Sequence, residues 1–142
     1  MKQNLESILN QMKRKKRGLV YQGELPEGII GIKRISTRSY DYSEVIFKKL
    51  DEKTVFQIAE NFGLEHEKKR RTDDLRCEHC PLREECISVN SDGESSRAYT
   101  IIKPRKFWFP DVIMDVVYNS VRIYDTKRSI EIGSRIINEY LN

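Results

Sequence analysis

Long apolar runs are missing from this chain of 142 residues, in which the longest are short stretches such as Phe107–Phe109 and Val112–Met114. A bilayer-spanning helix needs roughly 18 consecutive apolar residues, so no membrane span and no membrane partner are expected. The first residues are polar and carry neither the apolar run nor the small-residue cleavage site of a secretory signal, which makes a cytoplasmic protein the expectation. The arrangements that support independent catalysis are also lacking. There is no glycine-rich phosphate loop, no paired histidines for a catalytic metal, and no Ser/His/Asp spacing. A non-catalytic role is expected.

The apolar share of 38% is low and the charged share of 34% is high, yet Ile, Val, Tyr and Phe recur throughout, so the chain should fold rather than remain disordered. Its length suits one domain, residues 1–142. The net charge of +4 is unevenly spread, with 16 basic and 10 acidic side chains in residues 1–71 against 10 and 12 in residues 72–142. A basic half fits a surface facing phosphates; a solvated basic face is the alternative.

Leu5, Ile8, Leu9 and Met12 recur at helical spacing and predict a helix over 3–16, within a basic N-terminal segment 1–17. Leu19–Tyr21 and Ile29–Ile35 read as two strands around a turn containing Gly23, Pro26 and Gly28. A short helix is expected from about residue 44 to Leu50, capped by Ser43. A second helix should run from Asp51 to Gly63, where glycine supplies a left-handed stop. Residues 65–97 form the region of the cysteines, with a Ser-rich loop over 88–97, and Tyr99–Ile102 reads as a strand. Pro110 suits a first helical turn, and Val112, Ile113, Val116, Val117, Ser120, Val121 and Tyr124 draw one helical stripe. Ile130, Gly133, Ile136, Ile137, Tyr140 and Leu141 draw another, so 110–141 is expected to be a C-terminal helical hairpin. The predicted class is α+β: a small single domain with a short sheet or hairpin, a cysteine-bound metal loop and that helical hairpin.

Only three cysteines are present, all within ten positions, as Cys77-Glu-His-Cys80-Pro-Leu-Arg-Glu-Glu-Cys86. An odd, clustered set favours metal ligation over a disulfide framework. The C-x2-C gap lets two thiolates turn onto one centre, and the C-x5-C gap returns a third. This motif resembles the last three ligands of the iron–sulfur loop in endonuclease III and MutY-type DNA glycosylases. It is similar also to the terminal ligands of RecB-like CRISPR-associated nucleases, to WhiB-like regulators, and to the cluster domain of the archaeal transcription factor TFE beta and its RNA polymerase III relative. The resemblance implies ligand roles for Cys77, Cys80 and Cys86 around an iron–sulfur cluster of the 4Fe–4S kind, in a protein that works on DNA or in transcription. It covers about ten residues.

Each of those families has a fourth cysteine, which the glycosylase spacing would place at Arg70. The fourth ligand here must be another residue, a partner's group or absent. His66 is the best internal candidate, with a plain surface histidine as the alternative; His79, beside Cys80, is more awkward, and Asp73 and Asp74 are further options. Zinc in a Cys3His set is the alternative cofactor.

Three basic runs are candidate nucleic-acid contacts: Lys13, Arg14, Lys15, Lys16 and Arg17; Lys68, Lys69, Arg70 and Arg71; and Lys103, Arg105 and Lys106 leading to Trp108. Cations release counterions from phosphate, and an aromatic face can stack on an unpaired base. Equally, Phe107 and Phe109 can anchor a core while the lysines stay solvated. Gln57–Leu64 reads first as an ordinary capped helix; the alternative is a helix-turn-helix, whose Ala-x3-Gly pattern it carries and for which Glu65–Asp74 would be the recognition helix. The expected function is a metal- or iron–sulfur-containing, nucleic-acid-binding or transcription-associated protein. The alternatives are an accessory iron–sulfur subunit of a larger nucleic-acid enzyme, whose partner supplies the missing ligand, and an electron-transfer protein.

Overall fold

The computed structural model describes residues 4–13, 19–36, 41–70, 98–106 and 112–142. These residues build α1 (Leu5–Met12), β1 (Ile29–Ser36), β2 (Asp41–Phe47), α2 (Glu52–Asn61), β3 (Leu64–Arg70), β4 (Ala98–Pro104), β5 (Met114–Val117), β6 (Ser120–Tyr124) and α3 (Lys127–Leu141). The class is mixed α+β. The strands form one antiparallel sheet in the order β1-β2-β6-β5-β4-β3.

Two helices start where a side chain replaces the missing backbone partner of a first turn. Asn4 Oδ1 accepts from the Ser7 amide at 2.8 Å, and Thr126 Oγ1 accepts from the Ser129 amide at 3.1 Å. Leu5, Ile8, Leu9 and Met12 of α1 are all buried, as their spacing predicts. α2 ends at Gly63, whose φ of +78° is the left-handed stop expected there. α3 packs against α1, α2 and β6, and a Cβ on Gly133 would lie 3.2 Å from Ile123 and Met114, so glycine permits this close approach to the sheet. All three helices thus cover one face. There Ile32, Val45, Ile102, Met114, Val121 and Ile123 meet the apolar stripes of the helices.

The expected β1 and β4 are present, and Val20 pairs with Lys33 as a single bridge at the outer edge of β1. Two expectations and one alternative are overturned. The helix placed from residue 44 to 50 is β2: Ser43, Val45 and Phe47 face the helices, an alternation that β-branched and aromatic residues favour. The first half of the C-terminal helical hairpin is instead the β5–β6 hairpin, followed by the single helix α3. Its turn, Tyr118-Asn119, shifts the phase of the pattern, so residues that fit a helical stripe fall on alternating strand positions. Finally, residues 65–70 cannot belong to a recognition helix, because they lie in β3, held by seven register pairs to β4. Pro110 lies outside the described residues.

Candidate functional site

Cys77, Cys80 and Cys86 lie outside the described residues, as do His79, Asp73 and Asp74. What is fixed is where their segment attaches. Residues 71–97 join β3 to β4, and the flanking residues Arg70 and Ala98 are register partners on the sheet's edge. The segment therefore leaves and re-enters the sheet at adjacent backbone positions. Arg70, where the glycosylase spacing would put a fourth cysteine, is the last residue of β3.

His66 sits on β3 opposite Ile102, on the face that carries the helices. Its ring stacks on Phe56 of α2, with centroids 4.5 Å apart and planes within 6°, and its Nδ1 lies 3.7 Å from Glu60 Oε1. The side chain keeps 39% exposure, so the ring is steered from one face and one nitrogen while remaining accessible. Among the described residues no group of three or more His, Cys, Asp or Glu side chains is placed to hold a metal ion.

Among the described residues the basic runs fall on different elements. Lys13 caps α1, donating its amide to Leu9 O at 3.0 Å, while Arg14, Lys15, Lys16 and Arg17 lie outside the described residues, as do Arg71 and Trp108. Lys68 is exposed on β3, and Lys69 and Arg70 complete that strand toward its junction with residues 71–97. Lys103 lies near the other end of the β3–β4 pair, where its Nζ is 3.8 Å from both Glu65 and Glu67; Arg105 Nε is 3.6 Å from Glu65. Three residues of strand, about 10 Å, separate Lys68 from Glu65, the partner of Lys103. Two cations of the third run are thus set against carboxylates, and Lys106 is exposed.

The helix-free face carries a cluster that the sequence reading missed. Asp115 is 7% exposed and directly opposite Arg122 across β5–β6. Tyr124 donates its hydroxyl to Asp115 Oδ2 at 2.8 Å. Burial pushes the Asp115 carboxyl up to about 6, opposed by that hydrogen bond and by the Arg122 charge. Arg122 Nε lies 3.7 Å from Glu44 Oε2, and the guanidinium sits 5.4 Å over the Tyr42 ring, which meets Tyr124 edge-on. The signal was a period of two: Asp115, Arg122 and Tyr124 alternate with Met114, Val116, Val121 and Ile123.

No protein-family model matches the chain, and no curated protein or solved structure does. Site chemistry must be read from its own residues. On the helix-covered face, Arg34 is 2% exposed and grips the Asp125 carboxylate with both terminal nitrogens, tying β1 to the residues that lead into α3. No local motif announces this pair, because its members are 91 residues apart. Its burial and its two-pronged grip make it a structural clamp, although Arg34 Nε is itself buried without a partner.

Proposed function

We propose that the chain is a non-catalytic, metal- or iron–sulfur-containing protein associated with nucleic acid or transcription, in which Cys77, Cys80 and Cys86 hold the metal centre. One observation carries this reading. The C-x2-C-x5-C motif lies in a segment anchored at both ends by the register pair Arg70 and Ala98, so a centre bound there would staple a loop whose ends are already closed by the sheet. His66 is the internal candidate for a fourth ligand. Its Nδ1 side is directed toward Glu60 at a separation longer than a hydrogen bond, which leaves Nε2 for a metal and puts a carboxylate where a small approach would orient the imidazole. The cofactor on this reading is an iron–sulfur cluster, with zinc as the alternative.

Nucleic acid is the proposed partner on the strength of Lys13–Arg17 and Lys68–Arg71. Lys103 and Arg105 contribute less, because Glu65 and Glu67 offset their charge. That pairing favours, as a second reading, an accessory or electron-transfer protein that docks on another protein. Titrating single- and double-stranded oligonucleotides at rising salt separates the two. Phosphate contacts predict a steep loss of affinity with salt, and a Lys68→Ala/Lys69→Ala/Arg70→Ala variant should flatten the slope by about one unit per lost contact. Salt-insensitive or absent binding would sink the nucleic-acid reading and leave the metal reading standing.

A further inference from the structure

On the helix-free face two orphaned polar atoms belong to residues that are direct partners. Asp115 Oδ1 and Arg122 Nε are both buried without a hydrogen-bond partner, although Asp115 and Arg122 oppose each other across β5–β6. Each has what the other needs, a lone pair and an N–H, and leaving both unmet in a buried setting is costly. Arg122 is directed instead toward Glu44 on β2, at a separation longer than a hydrogen bond. The guanidinium therefore lies between two carboxylates, ion-paired with Glu44, and its Nε hydrogen-bonds to neither.

We propose that Arg122 is a two-position side chain whose choice between Glu44 and Asp115 is set by the protonation of Asp115, making the helix-free face a proton-responsive surface. With a proton on Asp115 the carboxyl is neutral, as its burial favours, and Arg122 stays with Glu44 over the Tyr42 ring. When the proton leaves, a buried anion faces a cation on the neighbouring strand, and Arg122 turns to bond Oδ1. Glu44 is then left to Lys33, its register partner on β1, and the charge pattern across β2, β6 and β5 changes without any movement of the backbone. Among the described residues, the charged or titratable groups on this face around Asp115 and Glu44 are Arg122 and Tyr124 from β6, Lys103 and Tyr99 from β4, Glu44 and Tyr42 from β2, and Lys33 from β1. Lys103 is held by Glu65 and Glu67, and Lys33 of β1 is opposite Glu44 on the side away from Asp115, so of these cations Arg122 is the one placed between the two carboxylates. The upward displacement of the Asp115 carboxyl to about 6 places the change within the range a cell can reach.

The test is an NMR titration of the full chain that follows the Arg122 Nε and Tyr42 ring signals from about pH 4.5 to about pH 7.5. In the native protein both signals should shift together with one midpoint within about a unit of 6, and in Asp115→Asn they should stay at their acidic values across the range. Glu44→Gln provides a second reading on a variant that keeps the buried carboxyl. It removes the competing anion, so Arg122 should favour Asp115 and the midpoint should fall. Arg122 signals that do not move with pH, that move identically in Asp115→Asn, or whose midpoint is unchanged by Glu44→Gln would overturn the proposal.

Discussion

The two faces of the sheet are made by the same strands but differ in whether a buried charge directly bonds its opposite. On the helix-covered face the one buried cation among the described residues, Arg34, is bound by both oxygens of Asp125, and the rest of the face is largely Ile, Val, Met and Phe. On the other face Asp115 is comparably buried but only half satisfied, and its opposite number Arg122 leans elsewhere. A buried guanidinium held at both terminal nitrogens by one carboxylate has its geometry fixed, even with Nε left over. A half-paired charge costs stability and leaves an alternative arrangement nearby, which is the usual condition of a functional group rather than a structural one.

The largest effect should come from breaking the paired side. Asp125→Ala strands the Arg34 guanidinium in the core with only Asp41, 3.8 Å away and exposed, and should cost about 3 kcal/mol in chemical denaturation. A loss under about 1 kcal/mol would erase the contrast between the faces. Gly133→Val is expected to cost about 2 kcal/mol, since its added methyls enter a gap where even a Cβ meets Ile123 and Met114 at 3.2 Å. A neutral result would mean that α3 can lift from β5 and β6 without penalty.

The unpaired side should respond with the opposite sign. Because the Asp115 carboxyl is raised from 3.8 to about 6, the native state binds this proton more tightly than the unfolded chain does. Its stabilising contribution is complete below the unfolded value and is lost as pH rises through about 6. Asp115→Asn should therefore stabilise the protein at pH 7.5 by about 2 kcal/mol and remove that part of the pH dependence between pH 4 and pH 7. Melting curves at the two ends of this window check it, and an Asn variant less stable at pH 7.5 would show that the carboxylate is better compensated than its unpartnered oxygen implies. The smallest effect belongs to neither face. Tyr118, 72% exposed, adopts φ +55° in the β5–β6 turn, and Tyr118→Gly should raise stability by up to about 1 kcal/mol by relieving that conformation.

Elements whose pattern admits one period were legible in the sequence. The stripe Leu5, Ile8, Leu9 and Met12 fits no strand, and Ile130, Gly133, Ile136 and Ile137 lie buried on α3 as expected. Residues 112–124 were not legible, because closely spaced Val and Ile satisfy both a helical stripe and a strand. The turn that would have decided, Tyr118-Asn119, lacks the glycine that usually announces a two-residue hairpin. β3 was hidden for another reason: Glu, His, Lys and Arg have no strand preference of their own, and the strand exists through its pairing with β4. At the candidate site, the cysteine spacing was visible from residue type alone. Asp115, Arg122 and Glu44 become neighbours only once three strands that are distant in the chain are laid side by side.

The central claim, a metal centre on Cys77, Cys80 and Cys86, is tested most directly by measuring bound metal and the visible spectrum of the anaerobically purified full chain. Iron and sulfide with broad absorption near 400 nm, or stoichiometric zinc without colour, is the predicted result, with the metal lost in Cys77→Ser, Cys80→Ser and Cys86→Ser. A folded native protein that carries no metal after reconstitution with iron and sulfide or with zinc, and that melts at the same temperature as all three variants, would contradict it.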